Sequence, residues 1–168
     1  NAPVPIRCEG HTHYLMPVHR GPLIRGDIHA DQKAILLKSS DLLHWKIGAY
    51  TQFDDSDPVY LAEGSLVQKK DGNLTIVYRA AKYDSSSTQP TNENCAYRCD
   101  SNDGGETWSL AYPEYGCHNT WSKSWYFIEN DGTEVYIYSP GEIRERPGLS
   151  WVNRPPGCLL YTSPSPRD

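Results

Sequence analysis

Two residues near the middle of this chain are of the types that handle charge on a substrate. Glu63 sits in the apolar stretch Leu61-Ala62-Glu63-Gly64-Ser65-Leu66-Val67-Gln68, and Arg79 closes the next one, Leu74-Thr75-Ile76-Val77-Tyr78-Arg79. A carboxylate on an apolar strand is either a group hydrogen-bonded to its neighbours or a general acid or base, and both roles are open to Glu63. A guanidinium is a planar, permanently charged fork that grips a carboxylate through two parallel N–H bonds. Arg79 is thus a candidate anion binder, with a solvated strand end as the alternative. Arg20 holds a similar place 59 residues earlier. His11 and His13 put two imidazoles on one strand face, with His19 and His29 nearby. No cysteine or carboxylate stands at ligand spacing to them, so they read as surface histidines, and neither a metal nor a cofactor is expected. Trp121, Trp125 and Trp151 could stack on sugar rings or pack between sheets.

The elements that must position these side chains are short strands. Asp71-Gly72-Asn73-Leu74-Thr75-Ile76-Val77-Tyr78 recurs 60 residues later as Asp131-Gly132-Thr133-Glu134-Val135-Tyr136-Ile137-Tyr138. Asp-Gly between alternating segments is a hairpin signal. A second turn signal ends in tryptophan: Ser40-Asp41-Leu42-Leu43-His44-Trp45 returns loosely within Ser101 to Trp108. Two alternating turn signals describe four antiparallel strands per unit. The first unit is expected at residues 14–19, 33–38 and 45–51, with its opening strand missing or frayed. The second is expected at 61–69, 74–80, 95–100 and 108–112, and the third at 124–129, 135–139 and 149–153. The pattern predicts an all-β fold with no helix longer than a turn. Repeated four-stranded units predict the blades of a β-propeller, because an ordinary sandwich gives no reason for a repeat near sixty residues.

Ser101-Asn102-Asp103-Gly104-Gly105-Glu106-Thr107-Trp108 fits S-x-D-x-G-x-T-W at every defined position. Ser101 and Asp103 can bond the loop's own amides, Gly105 allows a positive φ, Thr107 belongs to the same turn, and Trp108 packs the hairpin's base. The motif resembles the Asp box of sialidases and related propellers, and residues 39–45 look like a shorter copy. The resemblance extends over roughly residues 36–139 and implies about two and a half four-stranded antiparallel blades of a six-bladed propeller. In exo-sialidases a stretch E-P-x-L-V-x-x-x-x-G carries the glutamate that activates a tyrosine nucleophile. Sialic acid bears a carboxylate at its anomeric carbon, and a neutral phenol with a base beside it avoids the repulsion an anionic nucleophile would meet. The resemblance makes Glu63 that base, with Gly64 in place of the usual proline, and makes Arg79 one of three arginines that hold the substrate carboxylate. Arg20 has no motif support for such a role. The family's general-acid aspartate would lie on a loop of the first blade, where Asp27 and Asp31 are the candidates. The nucleophilic tyrosine and the last arginine would follow residue 157, so residues 1–157 alone are expected not to turn over. Two other readings share these features. In arabinanase- and fructosidase-like propellers Glu63 would be a general acid, and a non-catalytic Asp-box propeller would only bind glycans or proteins.

A formal charge of −5 without a basic stripe argues against nucleic acid as a partner; the partner the resemblance implies is a sialylated or other glycan. The longest apolar run, Ala34-Ile35-Leu36-Leu37, is strand-sized, and no membrane span is expected. Cys95 and Cys99 would lie about 13 Å apart on an extended strand and cannot pair with each other, whereas either could meet Cys117 across a hairpin. The sequon Asn73-Leu74-Thr75 and an even cysteine count before residue 158 are compatible with a secreted or extracellular location. Residues 158–168 show neither strand alternation nor helical period and read as the translation of a transposase-type sequencing adapter. The expected organisation is a partial propeller over residues 1–157 and a non-native tail over 158–168.

Overall fold

A computed structural model describes residues 2–20, 33–52, 59–83, 90–92, 95–118 and 124–137. All the regular structure among them is β. The first sheet runs β1 (Val4–Cys8), β2 (His11–Arg20), β3 (Lys33–Ser39) and β4 (Lys46–Tyr50), side by side in chain order and antiparallel. The second contains β5 (Val59–Gln68), β6 (Leu74–Tyr83), β8 (Cys95–Ser101) and β9 (Tyr112–His118) in that order, with the short β7 (Pro90–Asn92) added along the far part of β6. A hairpin of β10 (Trp125–Ile128) and β11 (Glu134–Ile137) begins a third. The architecture is therefore all-β, built of antiparallel four-stranded sheets.

The structure differs from the sequence reading at several strand limits. β2 begins at His11, and β6 runs on to Tyr83, where it pairs with a short β7 that the sequence does not announce. Two further differences have clear causes. The opening strand of the first sheet is present: β1 pairs with β2 from Val4↔Leu15 to Cys8↔His11. Pro3 and Pro5 make this stretch look like a linker, yet an edge strand tolerates a missing N–H. The Gln68 side chain also clasps it, accepting from Arg7 N at 3.0 Å and donating to Arg7 O at 2.8 Å. The last strand of the second sheet starts at Tyr112 rather than Trp108. Residues 108–111 are held otherwise, with Ser109 N donating to Asp100 O and Ala111 N crossing to Gln52 O of the first sheet's end. The third-sheet strand expected at 149–153 lies outside the described residues.

The second sheet is buried on both faces, and alternation along β6 shows how. Leu74, Ile76 and Tyr78 enter the core shared with Ile6, Leu15 and Leu36 of the first sheet. Val77, one residue out of phase, joins Ala96, Tyr126 and Tyr136 against the third. The 60-residue repeat returns as hydrogen bonding. Gly72 N donates to Lys69 O and Asn73 N to Asp71 Oδ1; in the later turn Gly132 N donates to Glu129 O and Thr133 N to Asp131 Oδ1.

The tryptophan-ended turns also share one design. Asp103 Oδ1 accepts from the backbone of Glu106 and Thr107 at 3.0 Å, its Oδ2 from Thr107 Oγ1 at 2.5 Å, and Ser101 Oγ accepts from Gly105 N at 3.0 Å. In the shorter copy Asp41 Oδ1 accepts from the backbone of Leu43 and His44, and His44 Nδ1 replaces the threonine hydroxyl on Oδ2 at 2.7 Å. Each indole N–H folds back onto a carbonyl, Trp108 onto Gly105 and Trp45 onto Leu42, whose φ values are +92° and +66°. Glycine meets that left-handed backbone without strain in one box, and Leu42 adopts it in the other. The longer box also docks onto the first sheet: the His13 ring donates to Gly104 O at 2.9 Å, and Lys38 pairs with Glu106.

Candidate functional site

Glu63 and Arg79 meet. Arg79 Nε donates to Glu63 Oε2 at 2.6 Å, with side chains 15% and 31% exposed for Arg79 and Glu63 respectively. Among the described residues this carboxylate is the one hydrogen-bonding partner of the guanidinium, and it engages Nε alone. The pair stands at the end of the second sheet opposite the Asp box. Register puts Leu74 beside Ser101 and Arg79 beside Ala62, five residues further along β6, about 16 Å away at 3.3 Å per residue.

The contact depends on a bulge. Ala62 pairs with Arg79 but Ser65 pairs with Val77, so Glu63 and Gly64 together oppose Tyr78. Glu63 has φ +53°, a left-handed conformation that costs a non-glycine residue about 1 kcal/mol or more. Gly64 is there because nothing larger fits. A Cβ on it would lie 2.5 Å from Tyr78 Cε1 and 2.9 Å from Ile76 Cγ2. The Tyr78 ring is fully buried, and its hydroxyl is 2.7 Å from Thr51 Oγ1. Strain at one residue and close packing at the next fix where the carboxylate goes.

His19, the next-to-last residue of β2, reaches this bulge from the first sheet. Its Nδ1 accepts from Glu63 N at 3.5 Å, and its ring meets Tyr60 edge-on with centroids 6.3 Å apart. The His19 side chain is exposed, but partial desolvation by the surrounding protein lowers its pKa; Glu63 works against that shift and Arg79 adds to it. The wall thus contains a carboxylate, a guanidinium, an imidazole and a phenol ring, a set that can bind an anion and accept a proton.

Of the other residues singled out, Ser101, Asp103, Gly105, Thr107 and Trp108 form the turn just described, remote from this wall. Arg20 ends β2 in register with Lys33, and its side chain, like Asp27 and Asp31, lies outside the described residues. So do Trp121 and Trp151, while Trp125 is half-exposed at the start of β10. Cys99 is a reduced thiol, its pKa pushed up to about 12 by burial and by the charge of Asp100. Among the described residues no three His, Cys, Asp or Glu side chains converge to hold a metal, and no helix is long and apolar enough to cross a membrane.

Sequence reasoning passed over His19 and Tyr60 as site residues, and Arg98 altogether. Arg98 lies between the second and third sheets, bonded to Asp100 at 3.1 Å, Thr75 Oγ1 at 3.2 Å and Glu114 at 3.4 Å, with Glu134 at 3.6 Å. Burial opposes its charge, but Asp100 and neighbouring groups raise its pKa above the ordinary arginine value. A cavity of about 520 Å³ opens beside it, lined by Lys69, Asn73, Asp100, Asn102 and Trp108 among others. Arg98, Lys69 and Asn73 already have protein partners there, so this is a structural ion network.

Among solved structures, the chain is similar to the crystal structure of a protein of unknown function from Dyadobacter fermentans DSM 18053. The TM-score is 0.56 and the identity 20%, over 75% of this chain and 31% of that one. This chain thus spans about a third of that protein's length, and the likeness is one of fold alone. No protein-family model and no curated protein matches the chain.

Proposed function

We propose that this chain is part of a sialidase-type β-propeller that acts on terminal sialic acid of glycans. In this reading Arg79 binds the sugar carboxylate, and Glu63 is the base that takes the proton of a phenol nucleophile supplied by another part of the propeller. One observation carries the proposal. A glutamate is held in a strained left-handed bulge with its carboxylate on a single nitrogen of a largely buried arginine. Strain of this kind persists where the surroundings enforce it, and a purely structural ion pair has no need of it. Among the described residues the pairing through Nε leaves the Nη edge of the fork for a bidentate anion. A carboxylate already taking an arginine hydrogen bond also suits the accepting role better than the donating one, which favours the sialidase scheme over one with Glu63 as general acid.

The test is binding of N-acetylneuraminate to the chain, followed by saturation-transfer NMR or calorimetry, with methyl galactoside as the neutral control. Sialic acid should bind and the neutral sugar should not. Arg79→Met should weaken sialic acid binding about 10- to 100-fold, the loss expected for charge-assisted hydrogen bonds. Equal binding of both sugars, or unchanged affinity in Arg79→Met, would remove the proposal.

A further inference from the structure

The structure assigns His19 a role that rests on this functional reading: it is a positioning residue whose neutral imidazole holds the Glu63 backbone in the left-handed bulge, so that the site is assembled across two sheets. A bulge takes a residue out of the ladder and leaves its amide in need of another acceptor. For Glu63 that acceptor is Nδ1 of His19, contributed by β2 of the first sheet. Tyr60, three residues before Glu63 on β5, packs edge-on against the imidazole and restrains its plane. The amide fixes the tautomer, because Nδ1 can accept only when the proton is on Nε2.

Among the described residues, the groups that face His19 set its charge state. Glu63 and Tyr60 face it from β5 and Arg79 from β6, while its register partner on β3 is the uncharged Ala34. β1 pairs with residues 11–15 only, so Arg7 and Cys8 lie toward the other end of the sheet. Partial desolvation and Arg79 both disfavour the imidazolium, against the opposing pull of Glu63, which keeps the accepting form in place at neutral pH. Once protonated, both ring nitrogens donate and the bond to the Glu63 amide is lost.

The experiment follows hydrogen exchange at the Glu63 amide in the full chain by NMR, as protection factors at one pH above and one below the titration of the His19 ring, which its own ring shifts locate in the same samples. The parent should lose about fivefold protection at the lower pH, the equivalent of one modest hydrogen bond. His19→Phe keeps a ring against Tyr60 but removes the acceptor, and its Glu63 amide should be poorly protected at both pH values. His19→Asn keeps an acceptor near the Nδ1 position without the titration and should be protected at both. A pH-independent parent, or an Asn variant that behaves like Phe, overturns the assignment even if the Phe variant does not fold. Sialic acid affinity measured on the same samples separates the two ideas. Binding that needs Arg79 while the Glu63 amide ignores His19 retains the function and refutes the positioning role. An amide that follows His19 in a chain without sialic acid affinity does the reverse.

Discussion

Replacing Gly64 by alanine tests whether the bulge is as tightly enclosed as the geometry states. The added methyl would stand 2.5 Å and 2.8 Å from two Tyr78 ring carbons and 2.9 Å from Ile76 Cγ2. Carbon–carbon contacts normally lie at about 3.5–4.0 Å, so something must move by nearly an ångström. The ring cannot swing freely, because Tyr78 is fully buried in the core between the first two sheets and its hydroxyl is held at Thr51. Overpacking of this kind costs about 1–3 kcal/mol, against which alanine recovers about 0.4–1 kcal/mol by restricting the unfolded chain. The net expectation is a loss of about 1–2 kcal/mol. With a urea dependence of about 2 kcal/mol/M, the unfolding midpoint should fall by about 0.5–1 M. Tryptophan fluorescence in equilibrium urea titrations measures it. A double-mutant cycle with Tyr78→Leu then locates the clash: the alanine should cost less once the ring is gone, with coupling of about 1 kcal/mol. A Gly64→Ala midpoint equal to or above the parent's would refute the reasoning. Strictly additive effects in the cycle would show that the methyl meets something other than Tyr78.

The Asp boxes yield two further expectations. Asp103→Ala removes the acceptor of two backbone amides and two hydroxyls and should destabilise the chain by about 1 kcal/mol, a figure discounted for partial exposure, read as a lower urea midpoint. Acid should act through the same group. Burial works against the Asp103 carboxylate, but the bonds from Thr107, Ser101 and Glu106 hold its pKa at about 2, below the ordinary 3.8. Its folded pKa is depressed, so its contribution to stability is complete above about pH 4 and fades as pH falls toward 2. Urea midpoints from pH 5 to pH 2 should drop more steeply in the parent than in Asp103→Ala.

The parts of the fold that were legible in the sequence are those fixed by local chemistry. Asp71-Gly72 and Asp131-Gly132 close hairpins because each aspartate caps its own turn, and both boxes form because a serine and an aspartate satisfy amides within a few residues. Strand limits set by distant partners were not legible. Nothing near Val4 announces that the Gln68 amide will bond the backbone of Arg7, and nothing after Trp108 announces that Ala111 will donate to Gln52. Read locally, the first stretch gives no sign of a strand and the second is strand.

The candidate site shows the same division more sharply. Glu63 and Arg79 could be named from residue type and position, but not the way they meet. In unbroken register Glu63 would stand opposite Tyr78, on the face turned to the first sheet. Alternation puts Arg79 with Val77 on the other face. A sequence reader who kept the period of two would have separated the pair. One extra residue in β5 and one left-handed φ bring them together, and Gly64 is the only local trace of that device. His19 left no trace at all, since a histidine before an arginine at a strand end carries no sign of the amide it will meet on another sheet. The longer Asp box, rich in local hydrogen bonds, stands at one end of the second sheet, and the strained glutamate at the other. The first two sheets are joined at the box end by His13 with Gly104 and Lys38 with Glu106, whereas at the bulge it is the buried Tyr78 ring and Ile76 that enclose the unfavourable backbone.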